Sequence, residues 1–530
     1  MTNLATGTKF QGVENSGGRL SLAFDPNDDL SINLKAEFIH DGDKAGFGGI
    51  NQGTFGNPNA VFFARANTLP NLVPPQSSRA GMLNQDPLLD RDAVSLVGRV
   101  DYDTDIATLT SITSFRKIDA FDSRDLDGSS LDAISQLGNE ESKQFTQEFR
   151  LTSNPDGSMS YDGAIDWILG VFYYEDESDR EDIFVLGADS AVGASVDSIF
   201  ADFESESYAI FGQVTIHMTD KMDLTLGGRY TKDKKTTGHT GTTLDAFPLI
   251  STGYQTRNSA DYSSFDPRVV LSYQATEDVN LYASYSTGFK SGGFQFAPFN
   301  LGAANVLFDP EEITTYEVGM KSEWLDRRLR LNAAAFMYDY ENLQVSRIID
   351  TPSGPQTLIS NAAESEIKGI DIEILTRPIE PLELSLSYGY LDASYDNYEF
   401  TLDPGNPLTF DGTRMVRAPE HTLNIGAEWV IPFEESSLAL RADYTSVSKA
   451  YHEPGEGRIE FGSGIPLTEE DSYQLLNLRA TYEIGNYRIA AYATNVLDEE
   501  YRRSINALGS AIVGFTAQPR VYGMKFTYQF

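Results

Sequence analysis

The chain has 530 residues, 40% of them hydrophobic, with a formal net charge of −38 and no cysteine. Such a charge repels phosphate backbones and excludes nucleic acid as a partner; the lack of cysteine excludes disulfides, thiolate catalysis and zinc–thiolate sites, and suits an oxidising periplasm. Aromatic residues make up 12%, with 27 Tyr and 31 Phe beside 44 Gly, which favours β-structure rich in turns.

The amino terminus, MTNLATGTKFQGVENSGG, lacks the charged-then-apolar layout of a signal peptide. Amphipathic β segments follow along the whole chain, about nineteen by period-two alternation. The first two, near 16–25 and 28–40, are joined by the tight turn DPNDD. Later pairs are joined by DTD, TDKMD, ATEDV, LDRR, RPIEP, PFEES and IGN. Between these pairs lie long connections, roughly 41–90, 121–140, 180–201, 236–260, 291–309, 348–357, 396–417, 452–469 and 503–516, well above the usual loop of about four to six residues. IDWILGVFYY is the most apolar window, but it contains Asp166, so no transmembrane helix is expected.

The strands themselves alternate cleanly. On β segments near 224, 382 and 476, Leu224, Leu226 and Tyr230 oppose Arg229, Leu382, Leu384, Leu386, Tyr388 and Tyr390 oppose Glu383, Ser385, Ser387 and Gly389, and Leu476, Leu478 and Tyr482 oppose Arg479. The carboxy-terminal RVYGMKFTYQF puts Tyr522, Met524, Phe526, Tyr528 and Phe530 on one face, with Lys525, Thr527 and Gln529 on the other. Short and long connections that alternate in a meander put tight turns at one end and long loops at the other. The expected fold is therefore all-β: a transmembrane, antiparallel, up-and-down β-barrel of the outer-membrane type, with short periplasmic turns and long external loops. A soluble propeller would need shorter strands and a repeat of about 40–50 residues, which is not found.

Five blocks, YASYSTGFKSGGF (282–294), FDPEEITTYEVGMKSEWLDRRLRLNAAAFMYDYENLQV (308–345), NAAESEIKGIDIEI (361–374), APEHTLNIGAEW (418–429) and NVLDEEYRRS (495–504), resemble the barrel of TonB-dependent outer-membrane receptors. The resemblance implies a barrel of roughly twenty-two strands preceded by a plug and an energy-coupling box. The opening KFQGVENSGGRLSLAFDPNDDL is similar to a point about three strands into such a barrel, so residues 1–530 are expected to be a single barrel domain, truncated before the plug. It also implies location in the bacterial outer membrane among lipid and lipopolysaccharide, and Phe530 as part of the signal for the barrel-assembly machinery. An inner-membrane energy-coupling protein would be a partner only through the plug and coupling box.

What the resemblance implies about function is energy-coupled import of a scarce ligand, above all a ferric siderophore or similar iron complex, and no enzyme activity. The alternatives are a passive diffusion channel, or a receptor for cobalamin, a glycan or an aromatic compound. A soluble β-rich glycan-binding protein is a third class, and would disperse without detergent. Candidate ligand contacts are Lys290 with Phe294, Phe296 and Phe299, a charge beside stacking surfaces, and Tyr501, Arg502 and Arg503, whose guanidinium groups suit a carboxylate or phosphate. The bland readings are packing of the aromatics against the barrel rim and internal salt bridges of the arginines.

Asp122, Asp125 and Asp127 in DAFDSRDLDGSSLD offer a weak Ca²⁺ pattern on an expected external loop; Ser123 occupies the position of a first ligand and no Glu closes the set. No other cofactor is expected. EDESDRED (175–182) reads as a second solvated acidic loop. The five histidines are scattered without metal-ligand spacing. Arg229 and Arg479 face the lumen, toward a plug or toward lumen carboxylates.

Overall fold

The computed structural model describes residues 2–3, 6–8, 14–43, 80–81, 83–126, 130–154, 157–161, 163–190, 193–243, 250, 253–351, 354–400, 408–456, 468–508 and 511–529. Nineteen long strands form one barrel sheet. They are β1 (Asn15–Asn27), β2 (Leu30–Asp43), β3 (Leu88–Asp103), β4 (Ala107–Asp125), β5 (Ile134–Ser153), β6 (Ile165–Leu186) and β7 (Ser195–Thr219). Then come β8 (Met222–Thr243), β9 (Tyr254–Thr276), β10 (Val279–Lys290), β11 (Glu311–Trp324), β12 (Leu329–Thr351) and β13 (Gly354–Ile379). The last six are β14 (Leu382–Phe400), β15 (His421–Pro432), β16 (Ser436–Val447), β17 (Tyr473–Ile484), β18 (Tyr487–Thr494) and β19 (Val521–Tyr528).

Every strand pairs antiparallel with the next, from β1/β2 through to β18/β19. Among the described residues β1 and β19 each have one paired neighbour, and all thirteen residues of β1 are exposed. The expected tight turns are present: β1 and β2 are separated by residues 28–29, β7 and β8 by 220–221, β13 and β14 by 380–381. At the turn between β11 and β12, Leu325, Asp326 and Arg327 all take positive φ.

The alternation sorts the two faces as the sequence indicates. Leu20, Leu22 and Phe24 on β1, Leu226 and Tyr230 on β8, and Tyr522, Met524, Phe526 and Tyr528 on β19 are exposed large apolar side chains at every second position. A face like this suits hydrocarbon, where the strands' backbone groups are already satisfied by their neighbours. Phe530 lies outside the described residues.

Strand length departs from expectation. About ten residues cross the hydrocarbon core at the tilt of such barrels, yet β7 has 25 residues and β13 has 26. The external ends therefore rise well beyond the membrane as a tall collar. Stretches read as long loops are partly strand: β4 runs to Asp125, β6 to Leu186, β8 to Thr243, and β12 reaches Thr351 with β13 starting at Gly354. The acidic run 175–182 is thus no loop but part of β6. The segment from Asp119 to Asp125 lies on β4, again not on a loop. Above the lipid band both faces of a strand are polar, so the period-two apolar signal fades although the ladder continues.

Candidate functional site

The connection between β10 and β11 folds back over the external mouth as a strap. Gly293–Phe294 pairs antiparallel with Leu307–Phe308, and a single helical turn, Leu301–Ala304, is capped by Asn300, whose Oδ1 accepts from the Ala303 amide at 2.9 Å. Phe299 and Ala304 are buried with Ile134, Phe184, Leu186, Ile199 and Tyr254, side chains from the upper ends of β5, β6, β7 and β9. The Phe184 and Phe299 rings meet edge to face at 5.2 Å.

Polar ties hold the strap at both sides of its root. On one side the Tyr254 hydroxyl donates to the Pro298 carbonyl, Asn258 Nδ2 donates to the Ala304 carbonyl at 3.1 Å, and Thr256 Oγ1 donates to Asn305 Oδ1 at 2.9 Å. On the other, Gln295 exchanges two 2.8 Å bonds with the backbone of Ile359 on β13. Asn361 accepts from the Asp309 amide and donates to its carbonyl, and Gln344 Nε2 donates to the Ser291 and Asp309 carbonyls. The strap is consequently a fixed inner lip of the mouth, its backbone groups satisfied by side-chain amides.

The predicted contacts Lys290, Phe294, Phe296 and Phe299 take different places on this lip. Phe294 and Phe299 are buried, which is the packing that the bland reading describes. Phe296 is 49% exposed and lies parallel to Phe203 of β7 at 6.0 Å, with the Arg180 guanidinium 5.3 Å from its centroid. Lys290 ends β10 opposite Glu311 and is exposed. Phe296 and Lys290 are thus the two of this set open to a ligand.

Behind Phe296 stands a network that residue spacing did not reveal. Arg180, on the inward face of β6, reaches Asp182 at 2.8 Å, Glu140 at 2.9 Å and Asp122 at 3.2 Å, and Gln136 donates to Asp182 at 2.7 Å. Asp122, Gly138 and Asp182 are opposed in one row across β4, β5 and β6. Gly138 leaves room for this network: a Cβ there would come within 2.6 Å of both Arg180 Nη2 and Asp122 Oδ1 and displace one of them. The alternation of β6, carried past the lipid band, gives Arg180 its inward position; reading the stretch as a loop hid it.

Asp122 also receives Arg124 at 2.7 Å, and Asp125 accepts from the Asn84 amide. The charge that a Ca²⁺ ion would neutralise at Asp122 is therefore met by two guanidinium groups. Asp127 lies outside the described residues. Among the described residues no three acidic or histidine side chains converge as a metal site.

Tyr501, Arg502 and Arg503 open the hairpin Arg502–Leu508/Ala511–Thr516. Tyr501 stacks on Tyr473 at 4.1 Å, Arg502 donates to Glu470 at 2.7 Å and to the Glu469 carbonyl at 2.8 Å, and Arg503 is exposed. Arg502 is thus engaged in an internal salt bridge, and Arg503 is the guanidinium that faces out. Arg417 donates through Nη2 to Ser504 at 3.0 Å and ties the same hairpin to the mouth.

His452 sits against this tether, outside the strands. Burial, together with the positive charges of Arg417 and Arg502, pushes its imidazole down to about 4. A group neutral in the folded mouth that takes a proton at its ordinary value of about 6.5 once released makes the folded arrangement weaken as pH falls from that value toward 4. Amide protection factors in 502–508 and 511–516, taken relative to the intrinsic exchange rate at each pH, are expected to fall over that range, and His452→Gln to flatten the dependence.

The two lumen arginines differ. Arg229 donates to Thr231 Oγ1 at 3.0 Å and lies 5.4 and 5.7 Å from the ring centres of Phe172 and Phe211. It stands opposite Asp266 in the β8/β9 register, but its guanidinium turns to the rings. Arg479 opposes Arg441, which is itself bonded to Asp443 at 2.7 Å, and is exposed.

Comparison with known proteins supplies the remaining finding. The family model described as TonB dependent receptor-like, beta-barrel, matches residues 19–496. The metal-pseudopaline receptor CntO of Pseudomonas aeruginosa is 28% identical over 329 residues, 62% of this chain and 41% of the relative. The probable TonB-dependent siderophore receptor PiuA of Acinetobacter baumannii is 28% identical over 311 residues, 57% of this chain and 38% of the relative. The matched stretch thus spans less than half the length of either curated relative. Among solved structures, the ferric yersiniabactin uptake receptor FyuA of Yersinia pestis superposes with a TM-score of 0.78 at 18% identity, over 100% of this chain and 73% of that one.

Proposed function

Because the chain belongs to the TonB-dependent receptor family by a match that runs through residues 19–496, we propose that it forms the barrel of a receptor that captures a metal chelate at its external mouth for energy-coupled import. The family resides in the outer membrane and consists of transport receptors rather than enzymes. The single observation behind the chelate reading is that the family match includes relatives named for such cargo, a metal–pseudopaline complex and a siderophore. The mouth supports it chemically. Its fixed lip holds the half-exposed ring of Phe296 in place beside Phe203 and Arg180, an aromatic surface that loses little entropy on binding. The coupling partner in this reading is the TonB energy transducer of the inner membrane, which acts through a plug and coupling box rather than through the barrel itself.

The test is equilibrium binding of iron-labelled chelates to the detergent-purified chain, with a catecholate, a trihydroxamate and a hydroxycarboxylate complex as the panel. Saturable binding of at least one is expected, weakened several-fold by Phe296→Ala, the scale of one aromatic contact of about 0.5–1.5 kcal/mol. Absence of saturable binding across the panel would sink the chelate reading.

A further inference from the structure

Two consecutive residues of the strap engage walls that lie far apart. Gln295 bonds to Ile359 on β13, and Phe296 lies against Phe203 on β7, strands separated by five others along the barrel. The strap is a chord across the mouth at this point, and the Gln295–Phe296 peptide is where it changes walls.

The Gln295 contact has a specific cause. β13 pairs with β14 from Ala363 onward, so at Ile359 that side of β13 has no strand neighbour among the described residues. The backbone N–H and C=O of Ile359 need partners there. Gln295 supplies both: its Nε2 donates to the Ile359 carbonyl and its Oε1 accepts from the Ile359 amide, each at 2.8 Å. A carboxamide carries a donor and an acceptor side by side in one plane, as a peptide of a neighbouring strand would. Gln295 is 1% exposed, so water does not compete for these bonds.

Phe296 follows immediately. Its ring lies within 4° of parallel to Phe203, and Phe203 meets the buried His239 ring at right angles, 5.7 Å away. Beyond Phe296 the chain is next held at the Pro298 carbonyl by Tyr254 and at the buried Phe299. The ring thus stands on a short span of backbone pinned on both sides, which removes in advance the freedom that binding would otherwise have to freeze. Asn258, Thr256, Gln344 and Asn361 hold the rest of the strap without Gln295.

We propose that Gln295 is a positioning residue of the mouth: buried away from any ligand, it acts by fixing Phe296 in its orientation. The inference rests on the receptor reading above and adds a residue that no ligand contact would reveal.

Gln295→Met keeps the length of the side chain and removes both hydrogen bonds. Binding of the iron-labelled panel complexes to wild type, Gln295→Met, Phe296→Ala and the double variant forms a double-mutant cycle. Folding of each variant is checked by its heat-modifiable mobility on gels. Gln295→Met is expected to weaken binding several-fold. The double variant is expected to bind within about two-fold of Phe296→Ala alone, because the ring that Gln295 places is already gone. A second arm needs no ligand. The chain has no cysteine, so Phe296→Cys or Leu301→Cys accepts a single nitroxide. Gln295→Met is expected to sharpen the spin-label spectrum at position 296 and to leave unchanged that at 301, on the helical turn. Unchanged binding in Gln295→Met, losses that multiply in the double variant, an unmoved spectrum at 296, or equal sharpening at both positions overturns the positioning role. Absence of saturable binding across the panel overturns the chelate reading instead, and the two spectra then decide the role of Gln295.

Discussion

Replacing Arg180 with methionine is expected to cost the collar about 3–5 kcal/mol, the scale for removing one partner from a buried ion network. Asp182, 2% exposed, would lose the guanidinium bonded to it, and Asp122, 7% exposed, would keep only Arg124, with Glu140 beside them released from the same cation. Like-charged carboxylates this close cannot all remain ionised in a medium that screens poorly. The loss should appear as faster amide exchange at the upper ends of β4, β5 and β6, while the lipid-embedded halves of the same strands stay protected. A second change, Asp122→Asn with Arg180→Met, should recover part of the loss, because it removes one of the stranded charges. Unchanged exchange in the single variant would mean that the network contributes nothing to the collar.

The next largest effect concerns the face assignment. Leu386 stands in the middle of the outward series Leu382–Tyr390 on β14, while Ser387 points inward opposite Glu373 and Asn424. Leu386→Arg should destabilise the barrel by ~2–4 kcal/mol, the penalty of a guanidinium at the bilayer midplane. Ser387→Arg should stay within about 0.5 kcal/mol, because the new charge meets lumen water and the Glu373 carboxylate. Urea unfolding in phospholipid vesicles measures both. Equal effects from these adjacent positions would refute the assignment of inside and outside.

Legibility in the sequence followed the contrast between the two faces of a strand. Where one face met lipid, as at Leu382 to Tyr390 or Tyr522 to Tyr528, period-two alternation located the strand and oriented it. The tight turns were equally plain, since Asp, Asn, Gly and Pro mark them locally. Above the membrane that contrast disappears. Glu175, Glu177 and Asp179 point out while Asp176, Arg180 and Asp182 point in, and a run polar on both sides looks like a loop. The site was legible only in part for a different reason. Phe294, Phe296 and Phe299 share one short stretch, and their fates depend on partners such as Phe184 and Phe203 that lie far away in sequence. Arg180 and Asp122 are 58 residues apart. Their meeting is a property of register across three strands, which spacing along one strand does not encode.

The bonds that fix the strap are mostly those of neutral side chains. Gln295, Gln344, Asn258, Asn361 and Tyr254 carry no charge at ordinary pH, so neither acid nor added salt competes for their bonds. The charged tether of the 502–516 hairpin, by contrast, responds to both. The strap therefore keeps its place through changes of salt and acidity that act on the charged ties around it.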